Sequence, residues 1–479
     1  MITDLAPYAA YKDSGLPWLG SIPEQWTVKR VKNLFRCIDV RSSTGDEELL
    51  TVSSSRGVIP RRLTTVTMFK AESYIGHKLC WPNDLVINSL WAWARGLGVS
   101  SHQGIVSTAY GVYRLREDTE VDPRFVHALV RSTAFHWELQ VRSKGVWTSR
   151  LQLTDDSFLS APFPIPPLGE QRAIVKYLDY MDRRIRHYIQ AKQKLIKLVE
   201  EQRQVVITQA VNRGLDGSVR YRPSTLDWIG DIPEHWEVLP VKRVLRRLID
   251  CEHKTAPEVD ASDFRVVRTT AVRHGRLQLS GTYCTSGEAF SHWTRRGLPE
   301  PGDVIFTREA PVGEACTVPE GQCLCLGQRT VLMKLQQHRY DADFLVHMIY
   351  GGPPSYRVRL ASQGSTVGHF NMDDIGNMRI LVPPLKEQRA IVSSLSMHTR
   401  GLDRATAQME REIDLLREYR MRLIADVVAG KLDVRGVAAS LPDELSQEEL
   451  IFDEMESFAE DELEDDDSRL QALLEEVEA

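Results

Sequence analysis

A chain of 479 residues, 42 % hydrophobic and 26 % charged, is longer than one ordinary hydrophobic core organises, so at least two globular domains are expected. No stretch approaches the roughly 18 apolar residues a membrane-spanning helix needs, and the opening MITDLAPYAAYKDSG has neither the basic nor the apolar block of a secretion signal; a cytoplasmic protein is expected. The net charge of −6 conceals a split, because residues 441–479 hold 17 acidic residues and one basic residue, leaving 59 basic against 49 acidic in the first 440, a mildly basic body compatible with nucleic-acid binding.

The first distinctive string is Ser14-Gly-Leu-Pro-Trp18-Leu-Gly20-Ser-Ile22-Pro23-Glu24-Gln-Trp26-Thr-Val28. Short strands follow at 49–52, 85–88 and 112–115, punctuated by Gly57, Gly96, Gly98 and Gly104. An amphipathic helix is predicted over 123–141, with Phe125, Leu129 and Leu139 on its apolar face. The pair Pro166-Pro167 keeps the preceding chain out of a helix, and Leu168-Gly-Glu170-Gln171-Arg172-Ala173-Ile174-Val175 opens one. Positions 174, 178, 181, 185, 188, 192, 195, 199, 202 and 206 carry Ile, Leu, Met, Ile, Tyr, Lys, Leu, Val, Gln and Val, the alternating four-three spacing of a coiled-coil seam. Gly214 and Gly217 are its candidate stops. About 45 residues at about 1.5 Å each make a rod of roughly 65 Å.

At residue 224 the chain starts again. Ser224-Thr-Leu-Asp-Trp228-Ile-Gly230-Asp-Ile232-Pro233-Glu234-His-Trp236-Glu-Val238 repeats the first string 210 residues on, in register. Strands are predicted at 265–270, 304–307 and 330–335, then a helix over 341–360. Pro383-Pro384-Leu385-Lys-Glu387-Gln388-Arg389-Ala390-Ile391-Val392 returns at an offset of 217, and the seam follows through Leu395, His398, Leu402, Ala405, Met409, Glu412, Leu416, Tyr419 and Leu423 to Gly430. This is tandem duplication of a whole unit. The polar seam residues Lys192, Gln202, His398 and Glu412 read as setting register or reaching solvent.

The matched frames flank unlike middles, residues 36–160 and 246–378, which share only faint strings such as Pro82-Asn-Asp84 and Pro301-Gly-Asp303. A protein built this way can dock the same thing twice while reading two different things; relaxed drift after duplication is the alternative. The fold class expected is α+β, with domains at 1–165 and 221–382, long helices at 166–220 and 383–436 paired as an antiparallel coiled coil, and an acidic tail at 437–479. The tail is solvated, or docks a partner, or mimics DNA, because Leu450, Ile451, Met455, Phe458, Leu470, Leu473, Leu474 and Val477 lie at helical spacing among its acids.

Loops of both middles interleave basic, hydroxyl, amide and aromatic residues, groups that pair with phosphates and base edges. The DNA-contact candidates are Ser54, Arg56, Trp93, Arg95, Lys144, Trp147, Arg150, Arg268, Arg273, Arg308, Gln363, Ser365, His369 and Asn371, although Trp91 and Trp93 serve equally well as core. Seven cysteines, an odd number, argue against a disulfide framework, and Cys316, Cys323 and Cys325 read as strand thiols, so no metal is expected. No nucleotide-binding loop, HExxH or GxSxG is present. The nearest approach to an N6-adenine methyltransferase motif, Gly352-Pro353-Pro354-Ser355-Tyr356, has the wrong first and fourth residues.

On its Trp-x-Gly-x-Ile-Pro-Glu-x-Trp lead-ins, its Pro-Pro-Leu-x-Glu-Gln-Arg-Ala-Ile-Val helix starts, and its helix exits Ala210-Val-Asn-Arg-Gly214-Leu-Asp and Val428-Ala-Gly430-Lys-Leu-Asp433, the chain resembles the specificity subunits of type I restriction-modification systems over residues 14 to about 436. The resemblance implies two target-recognition domains, each reading one half of a split double-stranded DNA site. It also implies two methylation subunits and restriction subunits as partners, which would carry S-adenosylmethionine and ATP with magnesium. Glu170, Gln171, Arg172, Glu387, Gln388 and Arg389 are the partner-docking candidates. A methyltransferase or nuclease with an unrecognised site, and a coiled-coil scaffold that never touches DNA, are the competing readings.

Overall fold

The computed structural model describes residues 5–54, 56–64, 73–145, 151–226, 228–362 and 369–442. The chain divides into two compact units, Met1–Gln190 with Glu412–Ala479, and Ala191–Arg411. The proposed helical spacing of the acidic tail falls on residues outside those described.

In the first unit the lead-in folds as a hairpin, Tyr11–Leu16 against Gly20–Pro23, ending at Trp26, which has no exposed surface. Strand Thr27–Arg30 then pairs antiparallel with Pro162–Ile165, so the two ends of the variable middle meet in one ribbon. Between them lies an antiparallel sheet in the order Phe35–Cys37, Gly111–Leu115, Leu85–Ile87, Leu97–Val99. Leu85, Val86 and Ile87 are all buried, as expected for a strand covered on both faces.

The helix predicted over 123–141 is two helices, Pro123–Arg131 and Thr133–Arg142. Ser132 between them is extended (φ −68°, ψ 152°), and its hydroxyl accepts the Phe135 N–H at 3.2 Å. A serine that can cap a new helix competes with continuing the old one, and apolar spacing alone does not register that competition. In the second unit the stretch predicted over 341–360 likewise splits, into Ala342–Gly351 and Pro353–Ser362, because Pro353 and Pro354 fit only a first helical turn.

The second unit repeats the plan. Tyr221–Pro223 pairs with Asp231–Pro233, Glu237–Pro240 with Arg379–Val382, and the sheet order Leu245–Asp250, Thr330–Leu335, Val304–Thr307, Ala315–Thr317 matches strand for strand. Trp236 is buried like Trp26. The repeated lead-in tryptophans differ more: Trp18 packs edge-on against Phe135, whereas Trp228 stacks on Tyr356 at 4.9 Å and stays exposed.

Two long helices, Leu168–Arg213 and Leu385–Val428, carry the predicted seam. Each unit contains the start of one and the end of the other. In the first unit Ile174, Leu178, Leu423, Val427 and Val428 share a core, and Arg420 pairs with Asp182. In the second, Ile207 and Val211 share a core with Ile391 and Leu395, and Arg203 pairs with Asp403 at 3.4 Å. Within each unit the start of one helix thus lies against the end of the other, the antiparallel arrangement expected from the sequence. Burial of the seam is deep near the helix ends and shallow between, where Tyr188 and Leu195 are about half exposed (47 % and 52 %). Both helices stop at glycines in the left-handed region, Gly214 (φ +73°) and Gly430 (φ +74°). A Cβ on Gly430 would come within 2.4 Å of Pro23 and 3.1 Å of Trp26, and one on Gly214 within 3.2 Å of Trp236. Among the described residues no helix is long and apolar enough to cross a membrane.

Candidate nucleic-acid interface

The frames are held by a bond set that recurs in both units. The Trp26 indole N–H donates to Glu170 Oε1 at 2.7 Å and Gln25 donates to Glu170 Oε2 at 3.1 Å. The Trp236 indole donates to Glu387 Oε1 at 3.1 Å, and the His235 ring lies 2.9 Å from Oε2. Gln171 donates to the carbonyls of Glu120 (3.0 Å) and Pro166 (2.8 Å) and accepts the Asp122 N–H (2.8 Å). Gln388 does the same with Arg339, Pro383 and Asp341. These are the residues taken from the sequence as partner-docking. Within the chain, Gln171 and Gln388 have no exposed surface and Glu170 is nearly as deep, while Glu387 spends both carboxylate oxygens inside the unit. Their recurrence reflects the joining of helix to domain, and burying such polar groups is tolerable only with every bond made. Arg172 and Arg389 remain exposed.

The faint middle motif has a structural role too. Asp84 and Asp303 each accept a backbone N–H three residues earlier, from Trp81 (2.9 Å) and Glu300 (3.0 Å), closing a turn whose third residue is left-handed, Asn83 or Gly302. Each buried carboxylate then pairs with a cation from the sheet, Arg114 at 2.8 Å or Lys334 at 3.0 Å.

In the first unit, Ser54 and Arg56 lie in the turn between strands Leu50–Ser53 and Gly57–Pro60. Trp93 and Arg95 lie between Leu85–Ile87 and Leu97–Val99, with Arg95 left-handed at φ 65°. The two segments are neighbours, since a Cβ on Gly98 would lie 3.3 Å from Gly57 Cα. Trp91 and Trp93 stack at 5.8 Å, and the Trp93 N–H donates to the Leu90 carbonyl, so both rings are half-buried rather than core. Lys144 is exposed and its backbone pairs with Gln152, next to Leu153, whose N–H donates to the Ser89 carbonyl. Trp147 and Arg150 lie outside the described residues.

In the second unit Arg308 Nη2 lies 3.4 Å from His369 Nε2, but Arg308 is not presented outward. Its side chain is only 11 % exposed, and its Nη1 sits 3.0 Å from both oxygens of Asp250. Burial alone would raise the Asp250 carboxyl, yet the His253 hydrogen bond and Arg308 hold it below its ordinary value. Arg308 is therefore a support. The exposed cation at this place is Arg329, which the sequence reading missed: it is left-handed (φ 66°), 53 % exposed, and pairs with Glu309 at 3.3 Å, while Glu309 also meets His369 at 2.5 Å. No local pattern separates the two arginines; only Asp250, 58 residues away, does. Arg268 is exposed with its guanidinium 5.4 Å over the Tyr283 ring, and Arg273 is turned back onto the Thr269 and Val272 carbonyls. Asn371 caps the helix Met372–Gly376 by accepting the Asp374 N–H. Gln363 and Ser365 lie outside the described residues.

Asp250, Cys251 and His253 offer donor atoms close together, but Arg308 and His253 already occupy the carboxylate. Burial pushes the thiols of Cys316 and Cys325 up to about 12.

Two α+β units of like plan, each built with parts of both long helices and each carrying cationic side chains on unlike turns, define a duplicated protein with matched frames and unlike loops. Residues 105–198 match the sequence family described as "Type I restriction modification DNA specificity domain". The chain is similar to the "Putative type I restriction enzyme MjaX specificity subunit" of Methanocaldococcus jannaschii, 20 % identical over 87 % of this chain and 96 % of that protein. It is also similar to the "Type I restriction enzyme EcoKI specificity subunit" of Escherichia coli, 22 % identical over 90 % and 94 %. A solved structure described as "Structural basis underlying complex assembly and conformational transition of the type I R-M system" shares the fold, with a TM-score of 0.59 and 17 % identity over 86 % of this chain and 99 % of that one. The resemblance to type I specificity subunits holds over nearly the whole chain.

Proposed function

We propose that this chain is the DNA sequence-specificity subunit of a type I restriction-modification complex, reading a bipartite site and performing no catalysis itself. The observation that carries the reading is the presence in one chain of two frames with the same internal bonds and two variable ends with different ones. Equivalent frames suit two copies of one partner, as a two-fold arrangement requires, and unlike ends suit two unlike half-sites. Methylation subunits would bring S-adenosylmethionine, and restriction subunits would bring ATP and magnesium. The relatives named above are type I specificity subunits, and this supports the same role here.

On this reading the exposed Arg172 and Arg389 belong to the docking face. Arg56, Arg95, Lys144, Arg268 and Arg329 face DNA, supplying the phosphate and base-edge donors such sites use. Methylome sequencing of cells with and without the chain tests the whole reading. A split motif with two different halves should vanish when the chain is deleted. Methyl transfer by the purified chain alone would instead mark it as an enzyme, and a motif indifferent to its deletion would leave it a scaffold.

A further inference from the structure

We propose that Arg131 and Tyr350 are positioning residues that brace, from behind, the backbone next to the reading side chains, Arg131 the turn holding Ser54 and Arg56 and Tyr350 the hairpin 272–277 that follows Arg268, each setting the stringency of one half-site. The proposal rests on the reading of the chain as a DNA-specificity subunit.

Arg131 is the last residue of helix Pro123–Arg131. Its Nη1 donates to the carbonyls of Leu97 (2.9 Å) and Ser53 (3.3 Å), and its Nη2 to that of Ser54 (2.9 Å). One planar group thereby fastens the outer strand Leu97–Val99, which follows Arg95, to the turn holding Ser54 and Arg56. The fit behind the turn is close: a Cβ on Gly57 or Gly98 would stand 3.3 or 3.4 Å from the His127 ring, and His127 Nδ1 accepts the Val99 N–H at 3.2 Å.

Tyr350 occupies the corresponding place on helix Ala342–Gly351, facing the corresponding outer strand Ala315–Thr317. Its hydroxyl accepts the N–H groups of Ala315 (3.1 Å) and Gly275 (2.9 Å) and donates to Glu314 Oε2 at 2.6 Å. That same carboxylate oxygen accepts the His274 N–H at 2.8 Å. The turn between strands Val272–Arg273 and Arg276–Leu277 is thus tied to the outer strand through its amide hydrogens. Burial, followed by Glu314, pushes the Tyr350 hydroxyl up, so it stays protonated and able to donate.

The two devices share a location and have opposite polarity. A guanidinium has only donors and gathers carbonyls; a hydroxyl with its carboxylate gathers N–H groups. Both spend these bonds on the backbone and on Glu314. Each fixes the path of the backbone from which reading side chains project, and a turn free to shift accepts near-cognate bases.

The test measures methylation at sequence resolution in cells holding the partner subunits and either the wild-type chain, Arg131→Met, Arg131→Lys, Tyr350→Phe or Glu314→Gln. Arg131→Met should raise methylation at sites with one mismatch in a single half roughly tenfold, with the other half still strict, and Arg131→Lys should restore part of the stringency. Tyr350→Phe, a loss of one oxygen, should relax the opposite half by a similar factor. Unchanged stringency, relaxation of both halves together, or relaxation of the same half by both variants overturns the proposal. If Arg131→Met or Tyr350→Phe does not accumulate, Arg131→Lys and Glu314→Gln decide by the same criteria. A wild-type chain that directs no bipartite methylation overturns the specificity reading first, and this proposal with it.

Discussion

Behind the turn at Ser54 and Arg56 in the first unit a guanidinium collects three carbonyls; behind the hairpin 272–277 and its neighbouring strand in the second a hydroxyl and a carboxylate collect three amide hydrogens. In the frames, by contrast, Trp26 and Trp236 make the same bond to Glu170 and Glu387. The contrast separates two kinds of constraint. Where the helix must join the domain, one solution recurs in both copies. Where the turn must follow a particular path, each copy has its own solution, because the backbone groups it offers differ.

The largest effect should come from cutting the shared solution. Trp26→Ala and Trp236→Ala each empty a buried indole site and should destabilise by about 3–5 kcal/mol. In denaturant unfolding followed by unit-specific probes, each substitution should move mainly its own unit. A single transition shifted equally by both would break the comparison.

Acid offers the next test. Burial, then the neighbouring Arg131, lowers His127 from 6.5 to about 4. Between these values the unfolded chain binds a proton that the folded unit refuses, so stability is complete above about pH 6.5 and is lost as pH falls toward 4. The full loss is on the order of 3 kcal/mol. His127→Gln should flatten the pH dependence of the first unit's midpoint over that range. Burial lowers His347 in the second unit as well, so the two should resemble each other in direction.

The smallest effect sharpens the comparison rather than breaking it. Glu170→Gln places an amide NH₂ where two donors already point and should cost about 1–3 kcal/mol. Glu387→Gln should cost less, because its side chain is 26 % exposed and water can serve its partners. Equal losses in differential calorimetry would mean the two frames are held alike after all.

Self-comparison of the sequence was enough to find the duplication, the seam, the glycine stops and the importance of the Glu-Gln pairs. It could not say what Glu170 and Gln171 bond, because a repeated residue looks the same whether its partner is another subunit or a tryptophan 144 positions away. Apolar periodicity carried the helix forecast across Ser132 and Gly352, where a cap and a proline pair end it. Composition drew attention to Arg308, which is buried against Asp250, and passed over Arg329, whose exposure and left-handed backbone no motif announces. Arg131 and Tyr350 carry no sequence signal beyond helical position. Their partners are carbonyls and amides, which every residue possesses.

Each unit takes the start of one long helix and the end of the other, so neither repeat alone encodes a finished core. The consequence is historical. The product of an unduplicated ancestral gene would have left half of each helix without its apolar cover, and only a second molecule of itself could have supplied it. On the proposed reading, a symmetric pair of such chains would read the same word twice, as a palindrome. Two copies in one reading frame are free of that symmetry, and on the same reading each half can hold a vocabulary of its own.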